Sequence, residues 1–199
     1  MRIALDAAGR EPSLDVLVGG AVDAFQEATT TGVPLHPFLY GPQEEIIQSL
    51  TSFDVSPGKF KIIDSPEVIS MEERPHEVLT NKMASSIIRA VEDLASGSVD
   101  GFVSMGNTGA VVGACRAFLG RIRWVSKPAL CVPIPRIGQQ GFLLDVGATP
   151  DPKPAHLAQF AALGSTFAEE IFNIGEPKIG LLNIGSESNK GDILRQDTY

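Results

Sequence analysis

The 199-residue chain is poor in the residue types on which several protein classes depend. It has two cysteines, Cys115 and Cys131, each inside an apolar segment, so both read as buried reduced thiols and no disulfide framework is expected. His36, His76 and His156 are scattered without the spacing of a zinc site. No apolar run approaches the ~20 residues needed to span a bilayer. The opening MRIALDAAGREPS lacks the basic, apolar and cleavage regions of a signal peptide, which predicts a cytoplasmic protein. Basic charge is in deficit too, and the net charge of −8 excludes a general nucleic-acid binder. Gly58-Lys59 lacks the rest of a Walker A loop, the first strand is not followed by GxGxxG, and no GxSxG elbow occurs.

What is present is the composition of a globular protein, 43% hydrophobic and 20% charged. A chain of this length buries roughly 70% of the surface it exposes when unfolded. No repeat, low-complexity tract or linker separates two halves, which predicts one α/β domain over residues 1–199. Acidity is uneven. No acidic residue lies between Asp100 and Asp145, while Arg116, Arg121, Arg123, Lys127 and Arg136 all fall there. Such a stretch either attracts an anionic substrate or an acidic partner protein, or is an ordinary solvated surface with acids nearby in space.

Short apolar runs alternate with amphipathic stretches, the pattern of a mostly parallel sheet covered on both faces. Strands are expected at Ile3–Asp6, Pro37–Tyr40, Lys61–Ile63, Gly101–Met105, Ala129–Ile134, Phe142–Val146 and Ile179–Ile184. Helices are expected from Leu14, over Gln43–Leu50, over Met83–Leu94, over Ala110–Leu119 and over Pro154–Phe172, with another beginning in GDILRQDTY. The Ala110–Leu119 stretch is apolar nearly all round, which predicts a buried helix.

Ligands of open parallel sheets bind beyond the carboxyl ends of the strands, and four such ends are polar. They are Asp6 with Gly9, Ser104 with the turn Gly106-Asn107-Thr108-Gly109, Asp145 with the segment through Asp151 and Lys153, and Asn183 with GSESNKG. The GNTG turn leads into a helix whose free N–H groups favour an anion such as phosphate. Asn107 or Thr108 as a plain helix cap is the equal alternative. Lys82, expected to open the helix carrying Ser85 and Ser86, joins Lys153 and Lys190 as cations near strand ends. They are either surface lysines or one wall of a cleft that handles oxyanions. His156, near a helix start, faces such a cleft or serves structure.

Taken in order, MRIALDA, Lys82-x-x-Ser85-Ser86, SMGNTGA, LGRI with KPAL, LLDVGA with DPKPxHLxQFA, and GLLNIGxExxKG make the chain resemble the bacterial phosphate acyltransferase (PlsX) family from Met1 to about Gly191. The resemblance implies transfer of a long-chain acyl group from the thioester of acyl carrier protein to inorganic phosphate, giving acyl phosphate for phospholipid synthesis without a cofactor or metal. It implies a three-layer α/β/α sandwich with a mostly parallel sheet, similar to phosphotransacetylases and isopropylmalate dehydrogenases. It also implies a homodimer, and peripheral membrane contact through a C-terminal part of the family fold that this chain lacks.

On that resemblance Lys190, Asn107 and Lys82 are the candidate catalytic residues. Asp6, Gly9, Ser85, Ser86, Ser104, Gly106, Thr108, Gly109, Asp145, Asp151, Lys153, His156 and Asn183 are candidates for substrate binding. Arg116, Arg121, Arg123, Lys127 and Arg136 are the candidate dock for carrier protein. The first loop departs from the family's D-A-M-G-G-D, running Asp6-Ala7-Ala8-Gly9-Arg10-Glu11, and Thr149-Pro150 stands before Asp151 in place of Asn-Val. The alternatives are a phosphotransacetylase-like enzyme using acyl-coenzyme A, and an inactive domain that binds carrier protein.

Overall fold

The computed structural model describes residues 1–9, 13–135, 137, 140–187 and 189–199. Where the sequence reads as one domain, packing divides the chain into two compact units, Met1–Gly120 and Arg121–Tyr199. The boundary carries no shift in composition, which is why the sequence does not announce it.

In the first unit, β1 (Arg2–Asp6), β2 (His36–Gly41), β3 (Lys61–Asp64) and β4 (Gly101–Val103) form a parallel sheet in the order β3-β2-β1-β4. The two-residue period of the strands sorts their side chains between two cores. Leu5, Leu39 and Ile62 join Val18 and Val22 of α1 (Leu14–Thr31) and Ile46 and Leu50 of α2 (Gln43–Ser52). Ala4, Tyr40 and Ile63 face the other way, onto Ala90 of α4 (Ser86–Ala95) and Val99. The sandwich of helix, sheet and helix expected from the sequence is thus built inside this unit. Helix α1 ends at Gly32, whose φ of 73° suits a residue without Cβ and lets the Val33 N–H reach the Ala28 carbonyl at 2.8 Å.

Two helices of this unit differ from expectation. The Met83–Leu94 helix begins only at Ser86. Lys82 instead terminates α3 (Pro75–Asn81), a short helix with proline at its first position. Helix α5 (Thr108–Phe118) is not buried all round. Only Ala110 and Ala114 are fully covered, packed with Val78, Ile87 and Val91 against α3 and α4. Its other apolar residues are partly exposed, and Cys115 is a free, half-buried thiol whose burial pushes its pKa up.

In the second unit, β5 (Cys131–Pro135) and β6 (Gln140–Leu144) pair antiparallel, beside the mostly parallel pairing that the sequence predicts for the chain. Residues 136–139 are too few for the crossover of a dozen or more that parallel strands need, so a hairpin is the available solution. Helix α6 (Pro154–Phe172) covers β6 through Phe142, Phe167 and Phe172, whose ring centroids lie 4.6–5.7 Å apart. Helix α7 (Ile193–Thr198) packs against α6. The strand expected at Ile179–Ile184 is absent. Ile179, Leu182 and Ile184 are exposed, and no described residue pairs with that segment. Among the described residues no helix is long and apolar enough to cross a membrane.

Candidate functional site

The chain runs outward from β1 to β2 and β3, then returns to lay β4 along the opposite side of β1. The order therefore reverses between β1 and β4, and the carboxyl ends flanking such a reversal are where open α/β sheets take ligands. Asp6 ends β1 there and Ser104 follows β4. Asp6 is fully buried. Its Oδ1 accepts the Ser86 hydroxyl at 2.6 Å and the Ala8 N–H at 3.1 Å, and its Oδ2 accepts the Ser104 hydroxyl at 2.7 Å. The Ser104 oxygen in turn accepts the Gly106 N–H at 3.0 Å. One carboxylate therefore ties the end of β1 to the first turn of α4 and to the exit of β4.

The glycines of this rim serve close packing. A Cβ on Gly106 would lie 2.9 Å from Asp6 Oδ2, and one on Gly9 would lie 3.3 Å from the Gly106 nitrogen. The β1 and β4 loops thus touch through two residues that have no side chain. A Cβ on Gly109 would lie 2.7 Å from Pro75 Cγ, so that face is filled by protein and not by a ligand. Asn107 takes the capping role that the sequence left open. Its Oδ1 accepts the Ala110 N–H at 3.0 Å, and its Nδ2 donates to the carbonyls of Ser70, Met71 and Glu73 at 3.0–3.2 Å. The N–H groups of Thr108 and Gly109 have no acceptor among the described residues, and Thr108 is exposed.

Lys82 is committed elsewhere. Its Nζ donates to the Val68 carbonyl at 2.5 Å and pairs with Glu73 at 2.7–2.8 Å. That ion pair, helped by the Ser70 N–H, holds the Glu73 carboxyl below the usual glutamate range. Ser85 is buried with its hydroxyl on the Lys82 carbonyl at 2.7 Å, so of the two adjacent serines only Ser86 reaches the rim. Glu73, which the sequence reading passed over, organises the segment that Asn107 grips. Ser70 and Glu73, three apart and followed by Pro75, were its visible signal.

The second unit holds the remaining candidates in two groups. Asp145 accepts the N–H groups of Leu130, Gly147, Ala148 and Thr149 at 2.7–3.2 Å. Burial pushes its carboxyl up, but the four donors outweigh that and hold it below the usual aspartate range. Asp151 and Lys153 are exposed, and half-buried His156 accepts the Lys153 N–H at its Nδ1, 3.1 Å away, closing the cap of α6. In the other group Asn183 donates to the Lys190 carbonyl at 3.0 Å, and exposed Lys190 lies alongside Gly185. Among the described residues no hydrogen bond joins the two groups. Arg116 is exposed near the end of α5, Arg121 and Arg123 are exposed, Lys127 is half-exposed, and Arg136 and Arg10 lie outside the described residues.

Residues 1–199 match, from end to end, the family described as fatty acid synthesis protein. The chain belongs to that family. Its relatives include the phosphate acyltransferase of Dictyoglomus turgidum, 42% identical over 200 residues that cover all of this chain and 58% of the relative. The phosphate acyltransferase of Desulfitobacterium hafniense strain Y51 is 40% identical over 199 residues, with the same coverage. The chain thus spans about three fifths of the length of these family members. A phosphotransacetylase structure from Streptococcus pyogenes superposes with a TM-score of 0.70 at 20% identity, over 97% of this chain and 60% of that one. That likeness establishes the α/β fold with its parallel sheet and flanking helices.

Proposed function

We propose that this chain acts in the transfer of a long-chain acyl group from carrier-protein thioester to inorganic phosphate. The observation that carries the reading is the rim at the β1/β4 reversal, where Asp6, Ser86 and Ser104 fix a turn at the start of α5 whose Thr108 and Gly109 N–H groups have no acceptor among the described residues. Family membership with phosphate acyltransferases as relatives supports it. Phosphate is already substantially anionic near neutral pH, so catalysis asks for position and charge stabilisation more than for a strong base. A phosphate oxygen forms a bond to the thioester carbon, and the tetrahedral oxyanion then collapses with cleavage of the carbon–sulfur bond. The departing thiolate takes a proton, and acyl phosphate remains.

In this reading the Thr108 and Gly109 amides hold an anionic oxygen, and Asp6 and Ser104 keep them in place. The role of Lys190, a cation or the proton donor for the thiolate, rests on the family resemblance. Lys82 and Asn107 are positioning residues, since their polar atoms hold the segment over residues 68–73. The test is product formation by the 199-residue polypeptide. Phosphate-dependent acyl phosphate from palmitoyl carrier protein, and not acetyl phosphate from acetyl-coenzyme A, is the expected outcome. Preference for acetyl-coenzyme A, or carrier-protein binding without turnover, overturns the reading.

A further inference from the structure

The acid-free stretch of the sequence contains, in the second unit, a turn whose apolar side chains the charge pattern does not reveal. Ile122 is 70% exposed and Trp124 is 82% exposed. They alternate with exposed Arg121 and Arg123, and the Arg123 guanidinium lies over the indole, 4.9 Å from its centroid. Exposure here does not come from a slack loop. Arg121 Nη1 donates to the Ser126 carbonyl at 3.1 Å, and the Val125 N–H donates to the Ile122 carbonyl at 3.0 Å. Gln159, on α6, accepts from the Ser126 N–H and hydroxyl at 3.0 and 2.7 Å and donates to the Trp124 carbonyl at 2.9 Å. Trp124 sits at φ 72°, a left-handed conformation that a bulky residue adopts only where its surroundings hold it.

A tryptophan, an isoleucine and two arginines on a braced turn make a small, pre-ordered contact surface of the composition that dominates protein–protein binding energy. Among the described residues no carboxylate lies within 4.0 Å of Arg121, Arg123 or Lys127. Their charge is therefore open to a partner. The chain as a whole carries −8, so a broad anionic surface such as a membrane would meet the acidic remainder of the molecule as well. A compact acidic protein surface, with an apolar patch to receive the indole, meets only the turn.

We infer that the turn Arg121–Lys127 is a docking surface for an acidic protein partner, with Trp124 and Ile122 as apolar anchors and Arg121 and Arg123 as charge contacts. Resting on the transferase reading, the partner is the carrier protein that brings the thioester. The test titrates holo carrier protein, without an acyl group, against the full 199-residue chain at low and high salt. Arms with vesicles of phosphatidylglycerol and of phosphatidylcholine run in parallel. Trp124→Gly, which suits the left-handed backbone, should weaken carrier binding about tenfold at both salt concentrations. The pair Arg121→Glu with Arg123→Glu should weaken it at least about tenfold at low salt and less at high salt. Lys59→Glu with Lys178→Glu, an equal charge change at exposed sites elsewhere, should stay within about twofold. The inference is overturned by absence of wild-type binding, by Trp124→Gly binding normally, by the arginine pair behaving as the control pair, or by binding to anionic vesicles in place of the carrier. Acyl phosphate formation is measured separately, so the transferase reading can survive the loss of this docking surface.

Discussion

The Asp6 carboxylate and the Ser104 hydroxyl, 98 residues apart in sequence, meet at 2.7 Å where the β1 and β4 ends lie side by side. Because Asp6 is fully buried, its removal leaves donors that water does not easily recover. Asp6→Ala strips acceptors from the Ser104 and Ser86 hydroxyls and the Ala8 N–H, and should cost about 3 kcal/mol of stability. Asp6→Asn keeps one acceptor oxygen and should cost about 1 kcal/mol. Urea unfolding of the two variants against the parent measures both. Equal small losses would show that the network contributes little.

Gly106 and Gly20 offer opposite outcomes from the same substitution. A methyl group at Gly106 meets Asp6 Oδ2 at 2.9 Å and Ile87 and Ser104 at 3.3 Å, so Gly106→Ala should destabilise by about 1–3 kcal/mol and disturb the rim. At exposed Gly20, inside α1, nothing lies within 4 Å, and Gly20→Ala should stabilise by up to about 1 kcal/mol through helix propensity. Thermal melting of the two variants should move in opposite directions.

The two lysines assigned to catalysis from the sequence should separate by readout. Lys82→Gln breaks the pair with Glu73 and releases the Val68 carbonyl, and should lower stability by roughly 1 kcal/mol, discounted for partial exposure. Lys190→Ala, at an exposed position, should leave the melting temperature unchanged and slow acyl phosphate formation by roughly a hundredfold or more. Near-normal turnover in the second variant removes Lys190 from its proposed role.

Acid should destabilise the protein in a definite direction. Asp145, held down by four N–H donors, and Asp100, held at about 2 chiefly by its hydrogen bond from Arg2, both have folded pKa values below those of the unfolded chain. Their stabilisation is therefore fully present above about pH 5, and is lost as pH falls through the unfolded aspartate value of about 3.9 and then through the folded values. Asp145→Asn should flatten that decline in urea unfolding across pH 7 to 2. A stability that rises in acid would contradict the assignment.

Elements with a strong period and local punctuation were legible from the residues alone: α1 with its apolar spacing from Leu14, α6 with its proline start, and β1 to β3 as short apolar runs. What was not legible depended on partners. Ile179–Ile184 has the composition of a strand, but a strand exists only by pairing, and no described segment pairs with it. Lys82 read as a helix opener because the apolar period from Met83 masks the break at Ser85. In the first unit, the polar ends of β1 and β4 were visible, yet their internal hydrogen bonding was not. Asn107 and Lys82 looked like free catalytic groups because the segment over residues 68–73 that engages them is remote in sequence. Trp124 escaped notice because a single aromatic in a basic stretch says nothing of its exposure.

The turn fixed by Asp6 and Ser104 is proposed to present the Thr108 and Gly109 amides to a phosphate. A titration of the isotope-labelled chain with inorganic phosphate, followed through its backbone amide resonances, tests this most directly. The account predicts saturable shifts largest at Thr108 and Gly109, abolished in Gly106→Ala. Shifts confined to exposed lysines elsewhere, or none at these two amides at saturating phosphate, would contradict it.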